Sequence, residues 1–104
     1  MTRLKDVARY VRSKNAGPFW VTIDVFFPDD HTFEACRSLP ALSARSIGAI
    51  YGREADEVKR FEVPSLRTIK LSFPRRSPQG AVEERDMHSG QSYVRLLDLE
   101  LGNL

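Results

Sequence analysis

The stretch Ser13-Lys14-Asn15-Ala16-Gly17-Pro18-Phe19-Trp20-Val21-Thr22-Ile23-Asp24-Val25-Phe26-Phe27 decides how the chain is read. Asn15 and Gly17 tolerate the left-handed backbone that closes a helix, and Pro18 has no N–H with which to continue one. Residues 15–18 therefore read as a helix stop. Beyond them the side chains alternate as in a strand, with Phe19, Val21, Ile23, Val25 and Phe27 on one face and Trp20, Thr22, Asp24 and Phe26 on the other. Both faces are mostly apolar, and one carries an acid. Such a strand needs cover on two sides, while a chain of 104 residues hides only about 60–70% of its unfolded surface. The strand predicts a domain completed by another protein surface or by a second copy of itself.

Upstream, Leu4, Val7, Ala8 and Val11 recur at i, i+3, i+4 and i+7, which predicts a helix from Arg3 to Lys14. Downstream, Pro28-Asp29-Asp30 ends the strand, and Asp30 is placed to cap a short helix containing Phe33, Ala35 and Cys36 that Pro40 breaks. Ser43 reads as the N-cap of a further helix carrying Ile47, Ile50 and Tyr51, stopped by Gly52. Residues 58–63 fit a helical turn or a strand. Leu66 to Phe73 is a strand, with Ile69, Leu71 and Phe73 inward and Thr68, Lys70 and Ser72 outward. Residues 74–92 are Pro, Gly, Ser and charge without usable period, a connection long enough to suggest function. Tyr93 to Leu101 returns to β character, with Arg95, Leu97, Leu99 and Leu101 on one side. The order predicts one α+β domain over residues 1–104, with helices packed on one face of a small mixed or antiparallel sheet.

Hydrophobic residues make up 41% of the chain and charged residues 29%, the balance of a folding globular domain. The formal charge is only +2, so bulk attraction to polyanions is weak, and nucleic acid is not the expected partner. Lys5, Arg9 and Arg12 share a flank of the predicted first helix, but no aromatic residues interleave with them as base-stacking platforms require. A single cysteine, Cys36, and an N-terminal stretch interrupted by Asp6, Arg9 and Arg12 predict a reducing, cytoplasmic setting. The longest apolar run is far too short to span a bilayer. No zinc spacing, phosphate loop or dinucleotide fingerprint is present, so no metal and no cofactor is expected.

Three places carry candidate chemistry. Asp24 lies in a strand with every reason to be buried, where an unpaired carboxylate is very costly, so it must find an arginine or backbone N–H groups. It reads either as a structural acid or as a general base or ligand-orienting acid at an interface. Arg85-Asp86-Met87-His88-Ser89-Gly90-Gln91 sets a cation, a carboxylate, an imidazole and an amide beside a permissive glycine. There His88 suits proton transfer, while Arg85, Asp86 and Gln91 suit substrate binding; a solvated loop is the bland alternative. Arg75, in Pro74-Arg75-Arg76, offers a guanidinium fork for a carboxylate or phosphate, or else simple solvation at a strand end.

With Ser13–Phe27 and Arg85–Gln91 both in view, and over its whole length, the chain resembles an uncharacterised small bacterial domain family. Members of that family occur beside, or fused to, proteins like acyclic terpene utilisation protein A. The resemblance implies a cytosolic metabolic context, the breakdown of branched carboxylates or their coenzyme A thioesters, and a large protein as partner. Three readings stand side by side. The chain is a small subunit or accessory domain of such a protein, supplying the His88 loop to a site at their junction. Alternatively it is a homo-oligomeric hydratase or lyase on a small carboxylate, using His88 and Asp24, or a purely structural interaction module. Whether the chain is itself an enzyme is left open.

Overall fold

The computed structural model describes residues 2–75 and 93–102. In chain order these form β1 (Thr2–Arg3), α1 (Leu4–Val7), β2 (Tyr10–Asn15), β3 (Trp20–Phe26), α2 (Asp30–Cys36), α3 (Ala44–Ile50), β4 (Lys59–Val63), β5 (Thr68–Pro74), α4 (Val94–Leu97) and β6 (Glu100–Gly102). Short 3-10 turns at Pro40–Leu42, Ala55–Glu57 and Pro64–Leu66 link them. The fold is α+β. Among the described residues, β2, β3, β5 and β4 form an antiparallel four-stranded sheet in that order, and β1 pairs with β6 in a separate antiparallel ladder.

The predicted helix over residues 3–14 is corrected. It lasts one turn, Leu4–Val7, and Ala8 is already extended at φ −75°, ψ 140°. Tyr10 to Asn15 then pairs residue for residue with Val21 to Phe26, from Tyr10↔Phe26 to Asn15↔Val21. The helical spacing is genuine, since Leu4 and Val11 are both buried, but they reach the core from different elements. Cross-strand pairing over six positions outweighs a marginal local helix preference. Residues 15–18 accordingly end no helix. They turn a hairpin, with Gly17 at φ +79° and the Ala16 N–H donating to Trp20 O at 2.9 Å.

The two central helices follow their cap signals. Asp29, one residue earlier than expected, caps α2 by accepting from the Thr32 N–H at 2.7 Å, and Ser43 caps α3 by accepting from the Ser46 N–H at 3.1 Å. Phe33, Cys36 and Ile47 turn inward. Burial pushes the Cys36 thiol up, which keeps it a protonated core side chain. α3 also needs its glycine. A Cβ on Gly48 would lie 2.9 Å from Arg53 O and 3.1 Å from Val58 Cγ2. Gly52, at φ +68°, ends this region as expected.

One hydrophobic core lies between the helices and one face of the sheet. It includes Val21, Ile23 and Val25 of β3 and Ile69, Leu71 and Phe73 of β5, joined by Phe33, Leu42, Ile47 and Tyr51. Edge contact between Phe27 and Phe33 and stacking of Tyr51 on Phe73 tie α2 and the end of α3 to that face. Arginines staple its margin. Arg60 donates to Leu42 O, Arg37 O and Glu62 Oε2, and Arg37 donates to Glu62 Oε1 at 2.7 Å.

The C-terminal strand predicted over 93–101 is also corrected. Val94–Leu97 is a helical turn, and only Glu100–Gly102 is strand. Leu96 and Leu101 are buried while Arg95 is exposed, because α4 packs beside α1 and the ladder is limited by the two residues of β1. Among the described residues, no helix is long and apolar enough to cross a membrane.

Candidate functional site, the outer face of the sheet

Strand pairing fixes the composition of the face turned away from the helices. Its rows run Lys14–Thr22–Ser72–Lys59, Arg12–Asp24–Lys70–Phe61 and Tyr10–Phe26–Thr68–Val63, with Trp20 opposite Pro74 at one end. No element of the described residues packs over these rows as α2 and α3 pack over the other face. Tyr10 and Phe61 are about half exposed, at 47% and 51%, and Trp20 and Phe26 are partly exposed.

At its centre Asp24 is buried, 2% exposed, and Thr22 and Thr68 in the adjacent rows are buried with it. Arg12 Nε donates to its Oδ2 at 3.1 Å from one side, and Lys70 Nζ stands 4.0 Å from Oδ1 on the other. Oδ1 has no hydrogen-bond partner among the described residues. The register explains the trio, since Arg12 and Lys70 are the residues directly opposite Asp24 on the two flanking strands. Thr22 and Ser72 share a hydroxyl hydrogen bond at 3.1 Å one row away. Four cations and a single carboxylate occupy these rows, a surplus of three positive charges.

Three of the four aromatic rings of this face are engaged, and Phe61 has no ring or cation contact among the described residues. Tyr10 stacks on Phe26 at 4.3 Å, the Arg12 guanidinium lies 5.1 Å from the Phe26 centroid, and Lys59 Nζ lies 4.9 Å from that of Trp20. Cation–π contacts of this kind clothe an aromatic sheet in charge without hiding it. The expectation that no aromatic residue accompanies the basic flank is thereby corrected. Once residues 10–15 are a strand, Arg12 and Lys14 stand among Tyr10, Phe26 and Trp20.

Of the residues singled out from the sequence, Asp24 sits in this row. Arg75 lies at the far end of the sheet, where its Nη1 donates to Asn15 Oδ1 and its N–H to Phe19 O, bracing the hairpin. His88, Arg85, Asp86 and Gln91 lie outside the described residues. His31 is exposed on α2, and among the described residues no three His, Cys, Asp or Glu side chains gather closely enough to hold a metal ion. Sequence reasoning missed Arg12, Lys70, Tyr10 and Phe61. The signal was the alternation of Tyr10, Arg12 and Lys14 with Val11, Ser13 and Asn15, masked by the helical spacing that Leu4 and Val7 begin.

The molecule is thus a small α+β domain with one sheet face sealed by helices and the other, uncovered by any helix among the described residues, aromatic and basic. Residues 4–100 match the model of DUF4387, a domain of unknown function, and the chain belongs to that family. No curated protein and no solved structure matches it.

Proposed function

We propose that the chain is an accessory domain that docks through the outer face of its sheet onto a larger cytoplasmic protein like acyclic terpene utilisation protein A, in the breakdown of branched carboxylates or their coenzyme A thioesters. The observation that carries the docking is the outer face itself. Trp20, Phe26, Tyr10 and Phe61 gather partly exposed aromatic surface on paired strands around a charged centre, and aromatic residues and arginine are the types enriched at protein interfaces. The larger protein and its metabolic role rest on the resemblance in sequence. In this reading Asp24 holds Arg12 in place beside Lys70; an acid 2% exposed and bound to a guanidinium suits positioning better than proton transfer. The Arg85–Gln91 segment, with His88, is then the chain's contribution to chemistry at the junction. A homo-oligomeric hydratase or lyase is the weaker alternative, because two copies meeting through these faces would oppose like charges.

The test is co-expression of the tagged chain with such a larger protein from the same source, followed by capture and light scattering. A stable complex is expected, and Trp20→Ala with Phe61→Ala should reduce its recovery by about tenfold or more. The same double variant should cost the isolated chain little stability, since both rings are partly exposed. Failure to form a complex, or a complex indifferent to both substitutions, would sink the docking reading.

A further inference from the structure

We infer that Arg12 and Lys70, on either side of Asp24, form an anion seat, and that the segment of the partner it receives is an acidic stretch of polypeptide whose carboxylates pair with the Arg12 Nη groups and with Lys70 Nζ. This deepens the docking reading and rests on it. Asp24 engages Arg12 through Nε alone, so among the described residues both Nη groups of a side chain 56% exposed remain available for a bidentate carboxylate. Lys70, 44% exposed, flanks the same acid from the next strand, its Nζ at 4.0 Å. The seat is preorganised, because Asp24 is 2% exposed and cannot swing into solvent, and it fixes at least one cation over the sheet. Lys14 and Lys59 extend the positive surface along the adjacent row.

Charge complementarity and ring geometry together select the occupant. A second copy would bring its own four cations onto these four. Single-stranded nucleic acid would need open ring faces on which to stack bases. Here Tyr10 and Phe26 cover one another, Arg12 and Lys59 lie over Phe26 and Trp20, and Phe61 alone is left uncovered, one ring rather than a series of platforms. An acidic polypeptide needs neither. Its carboxylates meet the cations, and its apolar side chains meet the ring edges and the stems of Arg12 and Lys59.

Fluorescence anisotropy of the whole chain tests the seat with three labelled probes. These are a short peptide alternating glutamate and leucine, its lysine and leucine counterpart, and an oligothymidine of similar length. The acidic peptide should bind, weaken between about 50 and 500 mM salt, and lose affinity by about tenfold or more in the Arg12→Glu, Lys70→Glu double variant. Arg45→Glu, an exposed position on α3 beyond the other face of the sheet, should change nothing, which shows that net charge alone is not the cause. Oligothymidine binding as tightly as the acidic peptide would overturn the inference in favour of nucleic acid. Concentration-dependent dimerisation abolished by the double variant would overturn it in favour of a second copy, and absence of binding by the acidic peptide would overturn it outright. The co-expressed complex separates the two proposals. If the Trp20 and Phe61 substitutions break it while Arg12→Glu, Lys70→Glu leaves it intact, the docking face stands and the anion seat falls. If neither set affects it, both fall.

Discussion

The two faces of one sheet each contain an acid, and they treat it differently. On the covered side Glu62 stands at the margin, in the row of Val11, Val25 and Ile69, gripped by Arg60 and Arg37 as part of the staple between helices and sheet. On the open side Asp24 stands at the centre, buried although no helix of the described residues lies above it. The covered face excludes water with hydrocarbon and keeps its charges at the edge. The open face does the reverse, with charge in the middle and aromatic rings around it. A sheet that only needed solubility would suit scattered polar side chains; a buried acid that holds Arg12 and is flanked by Lys70 gives the open face fixed geometry.

The largest effect should come from the covered face. Leu71→Ala, at a fully buried position, should destabilise the fold by about 2–5 kcal/mol in urea titration. Asp24→Ala should cost less, about 1–2 kcal/mol, because the stranded Arg12 and Lys70 are half exposed and hydrate. Asp24→Asn should be milder still. If Asp24→Ala costs as much as Leu71→Ala, the open face is sealed in solution and the contrast between the two faces fails.

The smallest effect should be at Glu62, and it should depend on pH. The hydrogen bond from Arg60 first, and then that from Arg37, holds its carboxyl below the usual glutamate value of 4.5. A lowered folded-state pKa gives stability that is present above the unfolded value and lost as pH falls through the folded one. Denaturant midpoints should therefore decline as pH drops below about 4.5. Glu62→Gln should flatten part of that decline while costing about 0.5–1 kcal/mol at neutral pH, a modest figure for a partly exposed pair. Asp29, lowered by the Thr32 N–H at the start of α2, contributes to the same acid limb and would remain in the variant.

Much of this architecture was legible in residues whose signal is local. Ser43 and Gly52 bracket α3, and the alternation of Thr68 to Phe73 names the inward side chains correctly. Strand β3 announced two apolar faces with an acid in one, and both are present. What misled was the N-terminal segment. Leu4, Val7, Ala8 and Val11 satisfy helical spacing, yet six cross-strand pairs with β3 decide the matter, and such partners are invisible in a local window. The same error concealed the site, since Arg12 assigned to a helix cannot be seen opposite Asp24. Residues 93–101 failed for the opposite reason. Their alternation suggested a strand, but the available partner, β1, is only two residues long.

That short ladder gives the domain a definite response to force. Thr2 faces Gly102 across β1–β6, so tension applied at these two residues acts across the strands and loads their hydrogen bonds one after another. The ladder should peel before any long pairing is strained, freeing α1 and α4 while β2, β3, β5 and β4 keep their register. Pulled by a tether at both of these points, the domain would give way at low force near residues 2 and 102 and hold in the middle, with the outer face still presented on an intact sheet.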